Sequence, residues 1–241
     1  MDISKSRLMR ELQNQTWAKT DSGMWYYPYI PTDIYKGIGL IRGNIGTPYQ
    51  GGFYLIYFDI PTTYPFDPPN CYHISFSGRR QNPNFNDKLR SPRHPPTSPN
   101  GFIQLPSWLP SMSITSILTT IKTQLLSKSP LNNEPDYKPD PTNIESYDKF
   151  IKYLNMRSNV VDIYTGISCL LPDDATDFIR SIISTEVLRN IHLYEQLLEE
   201  LKILDGEYIV CTTYTNSSCL CDYQQLNKDF KHLVRQFTSK S

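Results

Sequence analysis

Apolar positions in the first fifteen residues recur at helical spacing. Ile3, Leu8, Met9 and Leu12 fall near one face, with Lys5, Arg7 and Arg10 off it, which predicts a short amphipathic helix. The stretch TDSGM at 20–24 stops it. The rhythm then shortens. Runs at 25–30, 35–42, 52–60 and 71–76 are rich in Tyr, Ile, Leu and Phe, and the turns GNIGTPYQGG and PTTYPFDPP set off the later ones. Sequential short strands with tight links predict an antiparallel meander. Residues 77–99 are dense in Pro, Asn, Ser and Arg and read as a long loop. The helical period returns after it. Ser113 is placed as an N-cap for a helix whose stripe is Ile114, Ile117, Leu118, Ile121 and Leu125. A Pro- and Asn-rich segment at 127–143 precedes a second helix over 144–165. A long pattern over 174–204 predicts a single helix, with Asp173, Asp174 and Asp177 near its positive end and Gly206 terminating it. A strand over 208–214 and an amphipathic helix over 222–237 complete the chain, which has no internal repeat.

The fold class is therefore α+β: a helix, a four-stranded antiparallel meander and further helices. Residues 1–165 form the core and 166–241 an appended helical extension. Composition adds mainly exclusions. Lys+Arg and Asp+Glu each number 24 in 241 residues, so no global charge favours nucleic acid or an anionic membrane. No window reaches the ~18 apolar residues a membrane span needs. The opening MDISKSRLMRELQNQ is polar, unlike a signal peptide. Five cysteines, at 71, 169, 211, 219 and 221, show no metal-ligand spacing. They read as a reduced, intracellular set, and a cytoplasmic or nuclear location is expected. No metal or cofactor is implied.

Three motifs narrow the picture. Gly43-Asn44-Ile45-Gly46-Thr47-Pro48-Tyr49-Gln50-Gly51-Gly52 resembles the Gly-Pro-x-x-Thr-Pro-Tyr-x-Gly-Gly turn of the ubiquitin-conjugating (E2) family. Tyr64-Pro65-Phe66-Asp67-Pro68-Pro69 resembles its Tyr-Pro-Phe-x-Pro-Pro, and Trp108-Leu109-Pro110 its Trp-Ser-Pro before a helix. Each is moderately specific, and all three occur in the family's order. Asn82-Pro83-Asn84-Phe85, Asn133-Glu134-Pro135-Asp136-Tyr137 and Tyr147, followed by a helical tail, resemble the long E2s with a C-terminal extension, of the type charged by the alternative E1. The likeness is strong over 35–137 and weak over 166–241.

The resemblance implies thioester chemistry, which needs a Cys because a thiolate both attacks and leaves readily near neutral pH. The family pattern is Asn-Gly-x-Ile-Cys-Leu; here it is Asn100-Gly101-Phe102-Ile103-Gln104-Leu105. A primary amide cannot form a thioester, so the match puts Gln104 at a vestigial site and predicts no catalytic residue. The frame requires a short deletion between Leu105 and Trp108. A rival frame that places Arg90 or Ser91 at the site makes the distance to Ile114 too long, and neither frame finds a Cys. The oxyanion-steadying Asn of the family corresponds to Asn84, although a loop Asn also serves to structure its own turn. The rival match, His94-Pro95-Pro96, lacks the Asn, and His94 reads as a solvated loop residue. Each of the five cysteines reads as a buried or incidental thiol. Trp25, Tyr26, Tyr27 and Tyr29 must split between two sheet faces, giving core plus a half-exposed rim.

Binding positions carried over from the family are Phe66, Trp108, Pro110 and Ser111 for an E3, with Lys5, Arg7 and Arg10 on the first helix facing an E1. For Phe66 the alternative is that it folds into its own Pro-rich loop, and for the basic trio a solvated helix face. The functional expectation is a catalytically inactive E2-like scaffold that binds ubiquitin or a ubiquitin-like protein, an E1, an E3 or an active E2. Two alternatives are an active conjugating enzyme using a different Cys, and a peptide-binding module of the inactive E2-variant type, which Leu105-Pro106 resembles.

Overall fold

Neighbours in the chain are neighbours in the sheet. β1 (Met24–Ile30), β2 (Asp33–Arg42), β3 (Phe53–Asp59) and β4 (Asn70–Ile74) pair antiparallel in the order β1-β2-β3-β4, within a few residues of the predicted bounds. The computed structural model describes residues 3–13, 22–30, 32–85, 103, 107–133, 138–211 and 217–239.

α1 (Ile3–Gln13) packs beside the sheet through Leu8 and Leu12 and buries Ser4 between them and its start. Positions 4, 8 and 12 form the i, i+4, i+8 row, and 3 and 9 flank it. Ile3 and Met9, expected on the buried face, are therefore 63% and 41% exposed.

The inner sheet face receives α2 (Ile114–Thr120), which continues through a wider turn over Ile121–Leu125. Its predicted stripe is buried throughout. Ser113 caps it reciprocally with Ser116, each backbone N–H donating to the other's hydroxyl at 3.2 Å. The approach of helix to sheet depends on Gly39, where a Cβ would lie 2.6 Å from the Leu118 side chain.

The outer sheet face is equally dry. The register aligns Leu40, Leu55 and Ile74 in one cross-strand row and Ile38, Tyr57 and Tyr72 in the next. All six are at most 2% exposed. α5 (Asp173–Arg189) covers part of this face: Tyr27, the β1 partner of Ile38, stacks on Phe178 with ring centroids 4.6 Å apart. The aromatic cluster of β1 thus divides as expected, Tyr26 and Tyr29 into the core and Trp25 and Tyr27 half-buried, but the rim is covered by the extension.

α3 (Pro141–Met156) begins three residues before the predicted start because Asp140 caps it, accepting from the Asn143 N–H at 2.8 Å, with Pro141 at the first turn. It leads through a wide turn at Arg157–Asp162 into α4 (Ile163–Gly166). The single helix expected over 174–204 is two, α5 and α6 (Ile191–Lys202). The break is at Asn190, whose backbone leaves the helical region at φ −116° and ψ 30° while its N–H and its side-chain amide both donate to the Glu186 carbonyl, at 3.2 and 2.8 Å. Gly206 does not end a helix. At φ +79° it opens a hairpin, its N–H donating to the Cys221 carbonyl. The hairpin is β5 (Tyr208–Cys211) and β6 (Ser217–Leu220), the second strand being unforeseen. α7 (Tyr223–Ser239) closes the chain. Leu8 at one end and Phe237 at the other belong to one contiguous buried cluster.

Candidate functional site

The Gly43–Gly52 turn and the Asn82-Pro83-Asn84-Phe85 segment meet in one buried hydrogen-bond cluster. The turn after β2 delivers Tyr49, whose ring is fully buried. Its hydroxyl donates to the Gln81 carbonyl at 3.1 Å and accepts from the Asn82 side-chain amide at 2.8 Å. The same amide donates to the Leu125 carbonyl at the end of the α2 turn, also at 2.8 Å. From α3, the Tyr147 hydroxyl donates to the Gln81 carbonyl at 2.9 Å. Beyond α3, the Asn159 amide donates to the Gln81 side-chain oxygen at 2.6 Å. Buried polar groups at this density are satisfied by one another, which fixes the segment after β4 in a single arrangement.

Asn84 is held by this cluster at one remove. Its backbone N–H donates to the Asn82 side-chain oxygen at 2.9 Å, so the turn is structured by Asn82 and Asn84 is presented at its end. Arg80 clamps the turn from outside, donating to the Asn82 and Pro83 carbonyls. Phe85 anchors it, fully buried and stacked on His73 at 4.6 Å. Ile103 is buried and donates its N–H to the Cys71 carbonyl of β4 at 2.7 Å. Gln104, Asn100, Gly101, His94 and the rest of the basic loop lie outside the described residues.

Among the described residues, four thiols stand elsewhere than at position 104. Cys71 is buried in β4 beneath the Ile103 contact, and burial pushes its thiol well above the usual range. Cys221 is fully buried and pushed up to about 12, again by burial first. Cys219 is buried beside it, and Cys169 is exposed on the extension. A high pKa leaves little thiolate at neutral pH. Among the described residues no group of His, Cys, Asp or Glu is placed to hold a metal ion, and no helix is long and apolar enough to cross a membrane.

The positions expected to bind partners lie around a second constellation, built on Glu11. One carboxylate oxygen accepts from the Tyr64 hydroxyl at 2.7 Å and from Arg7 Nε at 2.5 Å; the other accepts from the Ile114 N–H at 3.0 Å, at the start of α2. That places a negative charge on the positive end of a helix and ties α1, the Tyr-Pro-Phe loop and α2 together. Sequence reasoning missed Glu11; its signal was an acidic residue one turn after Arg7 on the first helix. Trp108 Nε1–H donates to the Pro65 carbonyl at 2.8 Å, joining the two aromatic loops.

Phe66 is 65% exposed on this platform, with Pro110 and Ser111 exposed opposite. Leu109 is 60% exposed beside them, an apolar side chain the sequence pattern did not single out. Trp108 is half-buried and serves as a brace as much as a surface. Arg7 is engaged internally, since its guanidinium also donates to the Met112 carbonyl at 3.1 Å. Lys5 and Arg10 are exposed on the same helix.

Residues 7–160 match the family model described as ubiquitin-conjugating enzyme. Ubiquitin-conjugating enzyme E2 Z of Danio rerio is 31% identical over 241 residues, covering 97% of this chain and 69% of that protein. The Homo sapiens E2 Z is 29% identical over 207 residues, covering 83% of this chain and 54% of that protein. The chain thus spans between about half and two-thirds of the length of these curated relatives. Among solved structures, a Toxoplasma gondii ubiquitin-conjugating enzyme E2 domain aligns with a TM-score of 0.49 and 23% identity over 64% of this chain and 98% of that one. With a family model matched over most of its length, its sheet order and its three motifs in register, this chain belongs to the ubiquitin-conjugating enzyme family.

Proposed function

We propose that this chain is a ubiquitin-conjugating enzyme variant without thioester chemistry, acting as a binding or scaffold component of a ubiquitin-type pathway. The observation that carries the reading is the frame around position 104. Asn100-Gly101-Phe102-Ile103 leads into Gln104 where the family has its Cys, and the Ile103 N–H bond to the Cys71 carbonyl supports that frame by holding position 103 beside β4. An amide at that place neither attacks an acyl group nor leaves from one. The binding platform meanwhile keeps its exposed Phe66, Leu109, Pro110 and Ser111, so ubiquitin or a ubiquitin-like protein, an E1, an E3 or an active E2 are the partners it would serve.

The test is a charging reaction with E1, ATP and ubiquitin, resolved with and without reductant. No reductant-sensitive adduct is expected on the natural chain, and Gln104→Cys should create one. An adduct on the natural chain would overturn the reading. Because Cys169 is exposed, a Cys169→Ser version of the assay decides whether such an adduct reports an active enzyme using a thiol on the extension.

A further inference from the structure

The extension contains a groove that neither the core nor its own helices fill. α6 and α7 lie antiparallel: Tyr194 stacks on Phe230 at 5.8 Å toward one end, and the Tyr223 N–H donates to Asp205 at 3.0 Å at the other. Between them runs a cavity of about 490 Å³. Its α6 side is formed by residues 191, 195, 198 and 199, and its α7 side by 223, 227, 230, 231, 234 and 235. Both sets are the i, i+4, i+7, i+8 spacing of a single helical face, so the groove runs along the helices. Its floor is apolar, from Leu198, Tyr223 and Phe230 to the half-buried Ile191 and Val234.

The walls have opposite charge. Glu195 and Glu199 stand exposed on α6 and Lys231 and Arg235 exposed on α7, each pair one turn apart. Two oppositely charged walls facing each other would be expected to close into ion pairs. They do not. Among the described residues Glu195 pairs with His192 and Glu199 with Lys202, both on their own helix, and Lys231 and Arg235 make no ion pair. The two carboxylates turn to partners on their own helix, so an apolar floor lies open between two lines of charge that are not matched across the groove.

We propose that this groove docks an amphipathic α-helix of a partner protein. That helix carries an apolar stripe flanked by basic residues on the side toward α6 and acidic residues on the side toward α7. A helix suits the site better than an extended strand because the charges repeat every turn and not every second residue. A mixed-charge helix suits it better than a basic or an acidic one because either of those would set like charges against one wall. A second copy of this chain is the less apt occupant: the acidic and basic walls could face each other across a two-fold axis, but two concave grooves would leave the floor unfilled.

The probe is a designed peptide of about 18 residues, five helical turns, with a leucine stripe, lysines along one flank and glutamates along the other. Two controls keep the stripe and make both flanks lysine or both glutamate. Fluorescence anisotropy on the full chain should show the mixed peptide binding about tenfold tighter than either control. Glu195→Lys with Glu199→Lys makes both walls basic and should invert the order in favour of the all-glutamate peptide, with an unchanged thermal melt because both positions are exposed. Equal binding of the three peptides, binding by none of them, or an unchanged order in the charge-swapped variant would each overturn the proposal. So would a dimer in sedimentation equilibrium that Val234→Glu dissociates, since the groove would then be a self-interface.

Discussion

Glu186 is the residue on which the attachment of the extension can be weighed. It lies on α5 at 4% exposure, ion-paired with Arg42 at the end of β2, and accepts from Arg189 at 3.1 Å. The two partners are unequal. The Arg42 side chain is 20% exposed and the Arg189 side chain 56%. An exposed pair contributes about 0–1 kcal/mol, whereas removing one partner of a buried pair costs about 3–5 kcal/mol because the other charge is left uncompensated. Glu186→Gln keeps the shape and deletes the charge, leaving Arg42 facing α5. Partial solvent access to Arg42 lowers the expected loss to about 2–3 kcal/mol. Urea unfolding at pH 7 measures it, read as a lower midpoint with an unchanged slope. The double variant Arg42→Met with Glu186→Leu should recover most of that loss, since an apolar pair of similar size avoids the desolvation of both charges. A Glu186→Gln protein within about 0.5 kcal/mol of the parent, the range of an ordinary surface change, would refute the reasoning.

Further expectations test the site and its surroundings. Asn82→Ala removes both donated bonds and the acceptor for the Asn84 N–H, and should lower stability by about 2–4 kcal/mol in the same assay. Alkylation with iodoacetamide at neutral pH, read by mass spectrometry, should label the exposed Cys169 within minutes and leave Cys71 and Cys221 unlabelled until denaturant is added. Asp148 on α3 has its carboxyl pKa raised by burial above 3.8. A raised folded-state pKa gives stability that is present below the unfolded value and lost as pH rises through the folded one. Asp148→Asn should therefore stabilise the chain at pH 7, and the gain should vanish below pH 3.8, followed by melting temperature across that range.

Much of the core was legible because each element carried its own local signal. The four strands, the Ser113 cap and the α2 stripe follow from periodicity and capping chemistry that act within a few residues. What failed was set by tertiary context. Nothing in the 174–204 pattern distinguishes a continuous helix from one that Asn190 interrupts, because the apolar spacing runs on through the break. β6 escaped notice because Ser217–Leu220 is four residues long and polar at its start. At the site, the motifs located Tyr49, Asn82 and Asn84, yet their meeting with Tyr147 and Asn159 depends on packing between segments up to about a hundred residues apart. The role of Arg7 likewise turned on Glu11 and the Met112 carbonyl, one of which is distant in sequence.

One signal for the extension was present in the strands themselves. An antiparallel sheet with one wet face reads as apolar and polar residues in alternation. β3 reads Phe-Tyr-Leu-Ile-Tyr-Phe-Asp, apolar at six consecutive positions, and β2 carries Ile38, Leu40 and Ile41 around Gly39. A strand of that kind requires cover on both sides. α2 supplies it on the inner face, and α5 contributes it on the outer, with the wide turn after α3 packed against β3. Leu40, Leu55, Ile74, Ile38, Tyr57 and Tyr72 would otherwise present a continuous apolar surface to water, larger than a stable monomer leaves uncovered. The extension is thus demanded by the composition of the meander. Its remaining side, the α6–α7 groove, is left free to meet a partner.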